Sequence, residues 1–199
     1  GLVCGFRPTV VTAHGTDLTT GMGSMMWRTL LKSVFEQASC VNTVSADLTR
    51  MAASLGVARG KIVELTPGVD TSRFVAAGKA PRGGGDELRM VCTRRLEPVF
   101  DHRTIVEALV ILRTAGAKFK MTFAGDGSLR AELEELVERR GLRGDVTFLG
   151  AVSSDAMPAV LRANEIFLSA SLSDGASLSL LEAMSAGLFP VVSRIPGNA

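Results

Sequence analysis

Short apolar runs rich in β-branched residues alternate along the chain with longer stretches in which apolar residues recur every three to four positions. The short runs predict β-strands, and the longer stretches predict amphipathic helices. Strands that alternate with helices are typical of a parallel sheet covered by helices, so we expect an α/β protein. The predicted strands span residues 9–13, 41–44, 61–65, 88–92, 118–123, 145–149, 165–169 and 189–193.

Several helices have recognisable ends. Ser45 is placed as an N-terminal cap, and Thr104 and Glu107 have the spacing of a capping box. Gly141 follows a stretch with leucines on one face and charges on the other, which predicts a C-terminal cap. These helices are predicted over residues 46–55, 104–115 and 129–140.

Residues 25–38 carry an apolar stripe at helical spacing, flanked by Arg28 and Lys32. A helix lying on a membrane surface can have this pattern. Most amphipathic helices face the core of their own domain, however, so we expect this helix to pack on its own sheet.

A glycine-rich stretch with three consecutive glycines after Pro81 and Arg82 interrupts the alternation. It offers backbone freedom and almost nothing to bury, which is typical of a linker. We predict a linker over residues 79–85 between two α/β domains, residues 1–78 and 86–199.

Composition excludes some classes of function. The 199 residues include 22 Lys and Arg against 20 Asp and Glu, a formal net charge of +2, which predicts no binding to nucleic acid. Charged residues interrupt every apolar run before the roughly 18 residues that a membrane-spanning helix needs. Cys4, Cys40 and Cys92 are far apart and lack metal-ligand spacing, so we expect a reducing, cytoplasmic location without disulfides.

Ligands of open parallel α/β sheets bind at the carboxyl ends of the strands, so candidate chemistry is sought in the loops that follow them. His14 follows the first predicted strand; an imidazole there can meet a ligand, although a lone histidine is as often structural. Arg94 and Arg95 follow the fourth strand, and Arg103 comes soon after. These guanidinium groups can grip a diphosphate, and a solvated basic turn is the alternative.

Two further loops combine small residues with a following helix. Gly125 and Gly127 form a Gly-x-Gly turn whose amides can approach phosphate, but Arg130 replaces the third glycine of a dinucleotide fingerprint. Asp174 precedes the helix after the seventh strand, and Glu182 lies within it. Both carboxylates suit the hydroxyl groups of a sugar; a capping Asp and an ordinary helical Glu are the alternative.

These residues, taken in order, resemble a known family. The matching segments are residues 14–17, 44–45, 66–70, 73–74, 95–96, 124–127, 148–150 and 174–184. The chain is similar to the retaining glycosyltransferases of family 4, glycosyl transferases group 1. These enzymes have the GT-B architecture, in which Rossmann-like parallel sheets carry helices on both faces.

The resemblance implies a domain assignment. Residues 1–78 would be the C-terminal part of the N-terminal, acceptor-side domain, and residues 86–199 would be most of the C-terminal, nucleotide-sugar-binding domain. We therefore expect the chain to be a fragment that is inactive by itself.

The resemblance also implies roles for particular residues. His14 would lie beside the donor sugar at the reacting centre, and Asp174 would hold the transferred sugar. Arg95 would bind the diphosphate, and Glu182 would accept hydrogen bonds from the ribose hydroxyls. The remaining implied donor contacts are Gly125, Gly127, Leu149, Gly175, Ala176, Ser177 and Leu178.

Two positions depart from the family pattern. Asp174 stands where Glu is usual, so the carboxylate is one methylene shorter. Phe100 stands where the family has a phosphate-binding Lys, and either Arg94 or Arg103 would then supply the second positive charge.

The activity implied by the resemblance is transfer of a sugar from a UDP- or GDP-linked donor to a glycan or lipid-linked acceptor, as in polysaccharide biosynthesis. The anomeric configuration would be retained through same-face substitution. No cofactor or metal is expected, because arginines and a helix end would stabilise the charge on the leaving phosphate. The full-length protein would work in the cytoplasm, in peripheral contact with the inner face of the cytoplasmic membrane. A GT-B sugar-nucleotide epimerase and a non-catalytic nucleotide-sugar-binding protein are the alternatives.

Overall fold

The computed structural model describes residues 8–15, 17–18, 23–76 and 87–198. These residues form two compact units. The first unit comprises the described residues up to Pro67 and the segments 173–177 and 195–198; the second comprises those of 68–172 and 178–194. The predicted linker, residues 79–85, lies outside the described residues, so the predicted domain boundary stays a prediction.

The first unit is built on a three-stranded parallel sheet in the order β1-β2-β3. The strands are β1 (Val10–Ala13), β2 (Cys40–Thr43) and β3 (Ile62–Glu64). Val41 in the central strand pairs with Val11 on one side and Ile62 on the other. Each strand overlaps the apolar run that predicted it.

Two helices of the first unit, α1 (Met25–Gln37) and α2 (Ala46–Ser54), lie between these strands in sequence. Ser45 caps α2 as predicted, because its side chain accepts a hydrogen bond of 3.5 Å from the amide of Leu48. The buried core of this unit consists of Ala13, Leu18, Phe35, Ala38, Val41, Val44, Leu48, Ala52, Leu55 and Val57.

Helix α1 uses only part of its apolar surface for this core. Phe35 is buried, and Leu31 and Val34 pack against the cluster, as expected for a core-facing helix. The amino-terminal part of the helix differs from that expectation. Its exposed apolar residues are Met25, Met26, Trp27 and Leu30.

The second unit is built on a five-stranded parallel sheet in the order β6-β5-β4-β7-β8. Its central strand pairs through Met90 with Met121 on one side and Ile166 on the other. The strands are β4 (Glu87–Cys92), β5 (Lys118–Phe123), β6 (Val146–Phe148), β7 (Ile166–Ser169) and β8 (Phe189–Val192).

Helices cover both faces of this sheet. Successive residues of a buried strand point to opposite faces, so neighbouring strand residues contribute to different apolar clusters. Met90 and Cys92 belong to one apolar cluster, whereas Val91 between them belongs to another. The first cluster packs under α3 (His102–Thr114) and α4 (Arg130–Arg139). The second packs under α5 (Met157–Arg162) and α6 (Leu178–Ser185). The α/β prediction is therefore confirmed, with helices on both faces in this unit.

The start of α3 differs from the capping-box prediction, which was wrong. The helix begins at His102, two residues before Thr104, and Asp101 is its cap. The Asp101 carboxylate accepts hydrogen bonds from the amide and the hydroxyl of Thr104, at 3.4 and 2.7 Å. Asp101 has φ +42°, a left-handed conformation that Asp adopts more readily than most residues. The earlier start buries His102 completely.

In the part of the chain that the structure describes, no helix combines the length and apolarity required to cross a membrane.

Candidate functional site

The strand order of the second unit reverses at β4, and such a reversal is where open α/β sheets bind ligands. The chain passes from β4 to β5 on one side, whereas β7 lies on the other side of β4. Arg94 and Arg95 follow β4, and the loop after β7 leads into α6. The candidate donor site of this unit is therefore the loop after β4 together with the start of α6.

Arg94 is held from two directions. Its guanidinium carbon lies 4.2 Å from the centroid of the Phe100 ring. Its Nη1 donates a hydrogen bond of 2.9 Å to Oγ of Ser179, which lies in the first turn of α6. The ring and the hydroxyl together fix the guanidinium beside α6.

Arg95 extends into solvent, with 75% of its side chain exposed. Its Nη2 lies 3.4 Å from Oε1 of Glu97. Glu97 also accepts hydrogen bonds from the hydroxyl and the amide of Ser128, at 2.7 and 3.2 Å. These bonds, more than the charge of Arg95, lower the pKa of Glu97. An anion can therefore reach Arg95, in competition with the Glu97 carboxylate.

Gly125 and Gly127 allow two loops to pack closely. A Cβ on Gly125 would collide with the carbonyl oxygen of Arg94, and one on Gly127 would lie 2.7 Å from the carbonyl carbon of Leu96. The amide of Gly127 donates to Asp126 at 2.9 Å, and the next amide donates to Glu97. A phosphate at this turn would compete with two carboxylates, so the predicted contacts of these glycines with the donor stay predictions.

Glu182 lies on the same face of α6 as Ser179, because the two are three residues apart. The residue is half-buried, and this burial raises its pKa, with the charge of Arg73 acting in the opposite direction. Among the described residues, none donates a hydrogen bond to its carboxylate or forms an ion pair with it. The acceptor capacity of Glu182 is available to a ligand.

Arg103 and Leu149 make contacts with other elements of the second unit. Arg103 is in the first turn of α3 and forms an ion pair of 2.8 Å with Glu132 of α4, which raises its pKa. Leu149 follows β6 and is 47% exposed, while its amide donates to the carbonyl of Phe123 at 2.9 Å. Of the two arginines proposed to replace the family lysine, Arg94 contacts α6 and Arg103 is paired on the α3–α4 surface.

In the first unit, Asp17 organises the loop that presents His14. Its carboxylate accepts hydrogen bonds from the amides of His14, Gly15 and Leu18, at 3.1, 2.7 and 3.0 Å. Gly15 has φ +136°, which favours glycine. The His14 side chain is exposed at the carboxyl end of β1.

The segment 173–177 packs against this same loop. A Cβ on Gly175 would collide with the carbonyl oxygen of His14, so the two backbones touch. Ala176 packs on the core of the first unit, and the amide of Ser177 donates to Gly197 at 3.2 Å. Asp174 Oδ1 accepts from the amide of Gly175 at 2.8 Å. The predicted sugar-contacting residues His14 and Asp174 thus lie on adjoining segments, and Leu178 begins α6 with its side chain 42% exposed.

Sequence patterns missed several residues of the second unit's site. Ser179 carries no signal beyond its place in a helix, because its contact with Arg94 joins residues 85 positions apart. Phe100 stood out only as a departure from the family pattern, without a role. Arg73 lay in a matching segment; it donates to Asp155 at 2.9 Å and to the carbonyl of Ser154 at 3.0 Å.

Within the described ranges, no group of three or more His, Cys, Asp or Glu side chains is arranged to hold a metal ion.

Several curated proteins are similar to nearly the whole chain, among them a plant protein and a mycobacterial protein. A phosphatidylinositol N-acetylglucosaminyltransferase component of Arabidopsis thaliana is 29% identical over 191 residues, covering 94% of this chain and 42% of that protein. A GDP-mannose-dependent alpha-(1-6)-phosphatidylinositol monomannoside mannosyltransferase of Mycobacterium tuberculosis is 28% identical over 211 aligned residues, covering 99% of this chain and 54% of that protein. The chain thus spans about half the length of the curated relatives it matches.

A solved structure shows the same fold. The crystal structure of Anabaena HepE in complex with UDP and glucose superposes with a TM-score of 0.80 at 20% identity, covering 96% of this chain and 54% of that chain. The architecture is accordingly that of the GT-B glycosyltransferases. The family model described as Glycosyl transferases group 1 matches residues 79–199, more than half of the chain. The chain therefore belongs to the glycosyl transferases group 1 family.

Proposed function

We propose that this chain binds the nucleotide-sugar donor of a glycosyltransferase that moves a hexose to a glycan or lipid-linked acceptor. One observation carries the proposal. On one face of α6, the guanidinium of Arg94 is held at Ser179, and the carboxylate of Glu182 lies one turn further on. A nucleoside diphosphate carries anionic phosphates next to a ribose with two hydroxyl donors. The guanidinium of Arg94 suits the phosphates, and the carboxylate of Glu182 suits the ribose hydroxyls.

The burial of Glu182 supports this assignment. Its carboxylate is half removed from water, which raises its pKa, and it lacks a hydrogen-bond donor among the described residues. Ribose hydroxyls would supply hydrogen-bond donors to this partly buried carboxylate in place of the water that solvates it in the free protein.

The arginines supply the charge that glycosyl transfer requires. Cleavage of the bond between the sugar and the diphosphate leaves negative charge on the departing oxygen, as an oxocarbenium-like sugar forms. Arg94, held by Phe100 and Ser179, would stabilise that charge as a preorganised cation, and the exposed Arg95 would add a second positive charge. We assign His14 and Asp174 to the transferred sugar, and we propose retention of configuration without a metal ion.

The names of the similar proteins support the choice of substrates. The Anabaena structure holds UDP and glucose, and the mycobacterial relative is named for GDP-mannose, which favours a UDP- or GDP-hexose donor. Both curated relatives are named for phosphatidylinositol compounds, which favours a lipid-linked acceptor. Such an acceptor would place the full-length protein at the cytoplasmic face of a membrane.

The first test is donor binding by the purified 199-residue chain. Thermal stability is measured with UDP, GDP, ADP and NAD, with and without EDTA, for the wild type, Glu182→Gln and the control Glu135→Gln on an exposed helix face. We expect one nucleoside diphosphate to raise the melting temperature in EDTA. Glu182→Gln should weaken its affinity about tenfold or more, as for a lost hydrogen bond to a charged group, whereas Glu135→Gln should not.

The proposal fails if a chain that circular dichroism shows to be folded gains no stability from UDP, GDP or ADP. Equal affinities for Glu182→Gln and the wild type would remove the assigned role of Glu182. Product analysis of the full-length protein with the bound donor, with and without phosphatidylinositol, tests the reaction. Transfer that needs the acceptor supports a glycosyltransferase, whereas acceptor-independent conversion of the donor sugar indicates an epimerase, and the anomeric proton coupling tests retention.

A further inference from the structure

Phe100 lies beneath the guanidinium of Arg94 and is anchored by other rings. It ends the 3₁₀ turn Pro98–Phe100, directly after the loop that carries Arg94 and Arg95. Its ring meets that of His102 edge to face, with centroids 6.4 Å apart, and His102 meets Phe123 in the same manner at 5.6 Å. Phe123 is fully buried in β5. Phe100 is therefore linked through two rings to the core of the second unit.

This anchored ring limits the orientations that Arg94 can adopt. An arginine side chain has about 2 kcal/mol of rotamer entropy, which must be lost before the guanidinium can meet a ligand in one geometry. At 4.2 Å from the ring centroid, the guanidinium is within range of a cation–π interaction. The hydrogen bond of 2.9 Å from Nη1 to Ser179 restricts the orientation of the guanidinium further.

We propose that Phe100 is a positioning residue for donor binding: its ring holds Arg94 in the orientation that receives the diphosphate. This inference rests on the proposed function and adds a residue and a physical mechanism to it. Phe100 touches no ligand in this scheme and acts through Arg94 alone. The ring thus performs by orientation what an additional cation at this position would perform by charge.

The substitution Phe100→Leu tests the ring, and Phe100→Tyr is the conservative rescue. Leu fills much of the same volume but has no aromatic face, whereas Tyr keeps the face. Affinities for UDP, GDP and ADP are measured by ligand-observed NMR titration of the 199-residue chain. We expect Phe100→Leu to raise the Kd of the bound nucleotide about three- to tenfold, the range of a partly desolvated cation–π contact. Phe100→Tyr should bind within about twofold of the wild type.

A double-mutant cycle separates positioning from general stability. If Phe100 acts only through Arg94, then Phe100→Leu should not weaken binding further in an Arg94→Gln background. Phe119→Leu is the matched control. It removes a ring from the core cluster that contains Phe123, in β5, at the start of the strand rather than at its carboxyl end. It should lower stability and leave the Kd unchanged.

NMR of Arg94 gives a second measurement that does not depend on nucleotide. The ring current of Phe100 should shift the side-chain protons of Arg94 upfield in the wild type and in Phe100→Tyr. Upfield shifts in these two proteins that disappear on loss of the ring support the stack, and their absence in the wild type overturns it.

The outcomes distinguish this inference from the proposed function. If the folded wild type binds no nucleoside diphosphate, both fall. If it binds and Arg94→Gln weakens binding while Phe100→Leu does not, the inference alone fails. Additive losses in the double variant likewise overturn the positioning role.

Discussion

The contact between the segment 173–177 and the His14 loop can be tested by adding one methyl group at Gly175. A Cβ on Gly175 would collide with the carbonyl oxygen of His14 and would lie 2.7 Å from the carbonyl carbon and 3.1 Å from Cα of Gly15. All of these are backbone atoms, which cannot rotate away as a flexible side chain can. Gly175→Ala must therefore push two backbone segments of the first unit apart.

The cost is set by two opposing effects. Forcing a methyl group into a packed site typically costs about 1–3 kcal/mol. Replacing Gly by Ala restricts the unfolded chain and recovers about 0.4–1 kcal/mol. We expect a net loss of about 1–2 kcal/mol in the free energy of unfolding of the first unit. For a unit of this size, each kcal/mol lowers Tm by about 4–8 °C.

The assay uses the fluorescence of Trp27, the only tryptophan of the chain, which lies in the first unit. Gly60→Ala, in the same unit, is the matched control, because no described residue other than its chain neighbours has an atom within 4 Å of a Cβ at Gly60. That variant should be as stable as the wild type or up to about 1 kcal/mol more stable. Equal urea stabilities for Gly175→Ala and Gly60→Ala would refute the argument.

Two titratable groups buried in the second unit give the remaining predictions. Burial raises the pKa of Cys92 to about 11. In a Cys4→Ser variant at pH 8, a thiol reagent should therefore modify Cys40 in the native protein and Cys92 only after unfolding. Rapid modification of Cys92 in the native protein would contradict its burial. Burial lowers the pKa of His102 to about 4, against 6.5 in the unfolded chain, so between these pH values the unfolded state binds a proton that the folded state does not. The free energy of unfolding should therefore fall by up to about 3 kcal/mol as the pH drops from 7 to 4. In urea titrations, His102→Phe should lose less stability over the same pH range, because it lacks the contribution of His102. The same pH dependence in the variant and the wild type would contradict the prediction.

Most of the fold could be predicted from local patterns. All eight predicted strands overlap observed strands, because runs of β-branched residues bounded by charges or glycine carry a strong local signal. The start of α3 could not be predicted from the Thr104–Glu107 spacing. It depends on the left-handed conformation of Asp101 and on the burial of His102 between aromatic rings, and both are tertiary effects.

The candidate site was predictable in its residue types but not in its contacts. The sequence left open whether Arg94 or Arg103 accompanies Arg95. The choice depends on Ser179 and Phe100 for the first arginine and on Glu132 for the second. Ser179 and Glu132 lie 85 and 29 positions from their arginines, and no local pattern reports contacts at such separations.

The turn at Gly125 and Gly127 shows that a glycine motif alone does not identify a phosphate-binding site. Gly125 and Gly127 suit a phosphate-binding turn, yet close packing against the carbonyl groups of Arg94 and Leu96 requires the same two residues. The carboxylates of Asp126 and Glu97 already accept hydrogen bonds from amides of this turn. Under the proposed function, Arg94 and Arg95 would supply the attraction for a diphosphate, because a cation's field acts over several ångströms whereas an amide must face its ligand. A substitution of these arginines should therefore weaken nucleotide binding more than any change in the turn that preserves its packing.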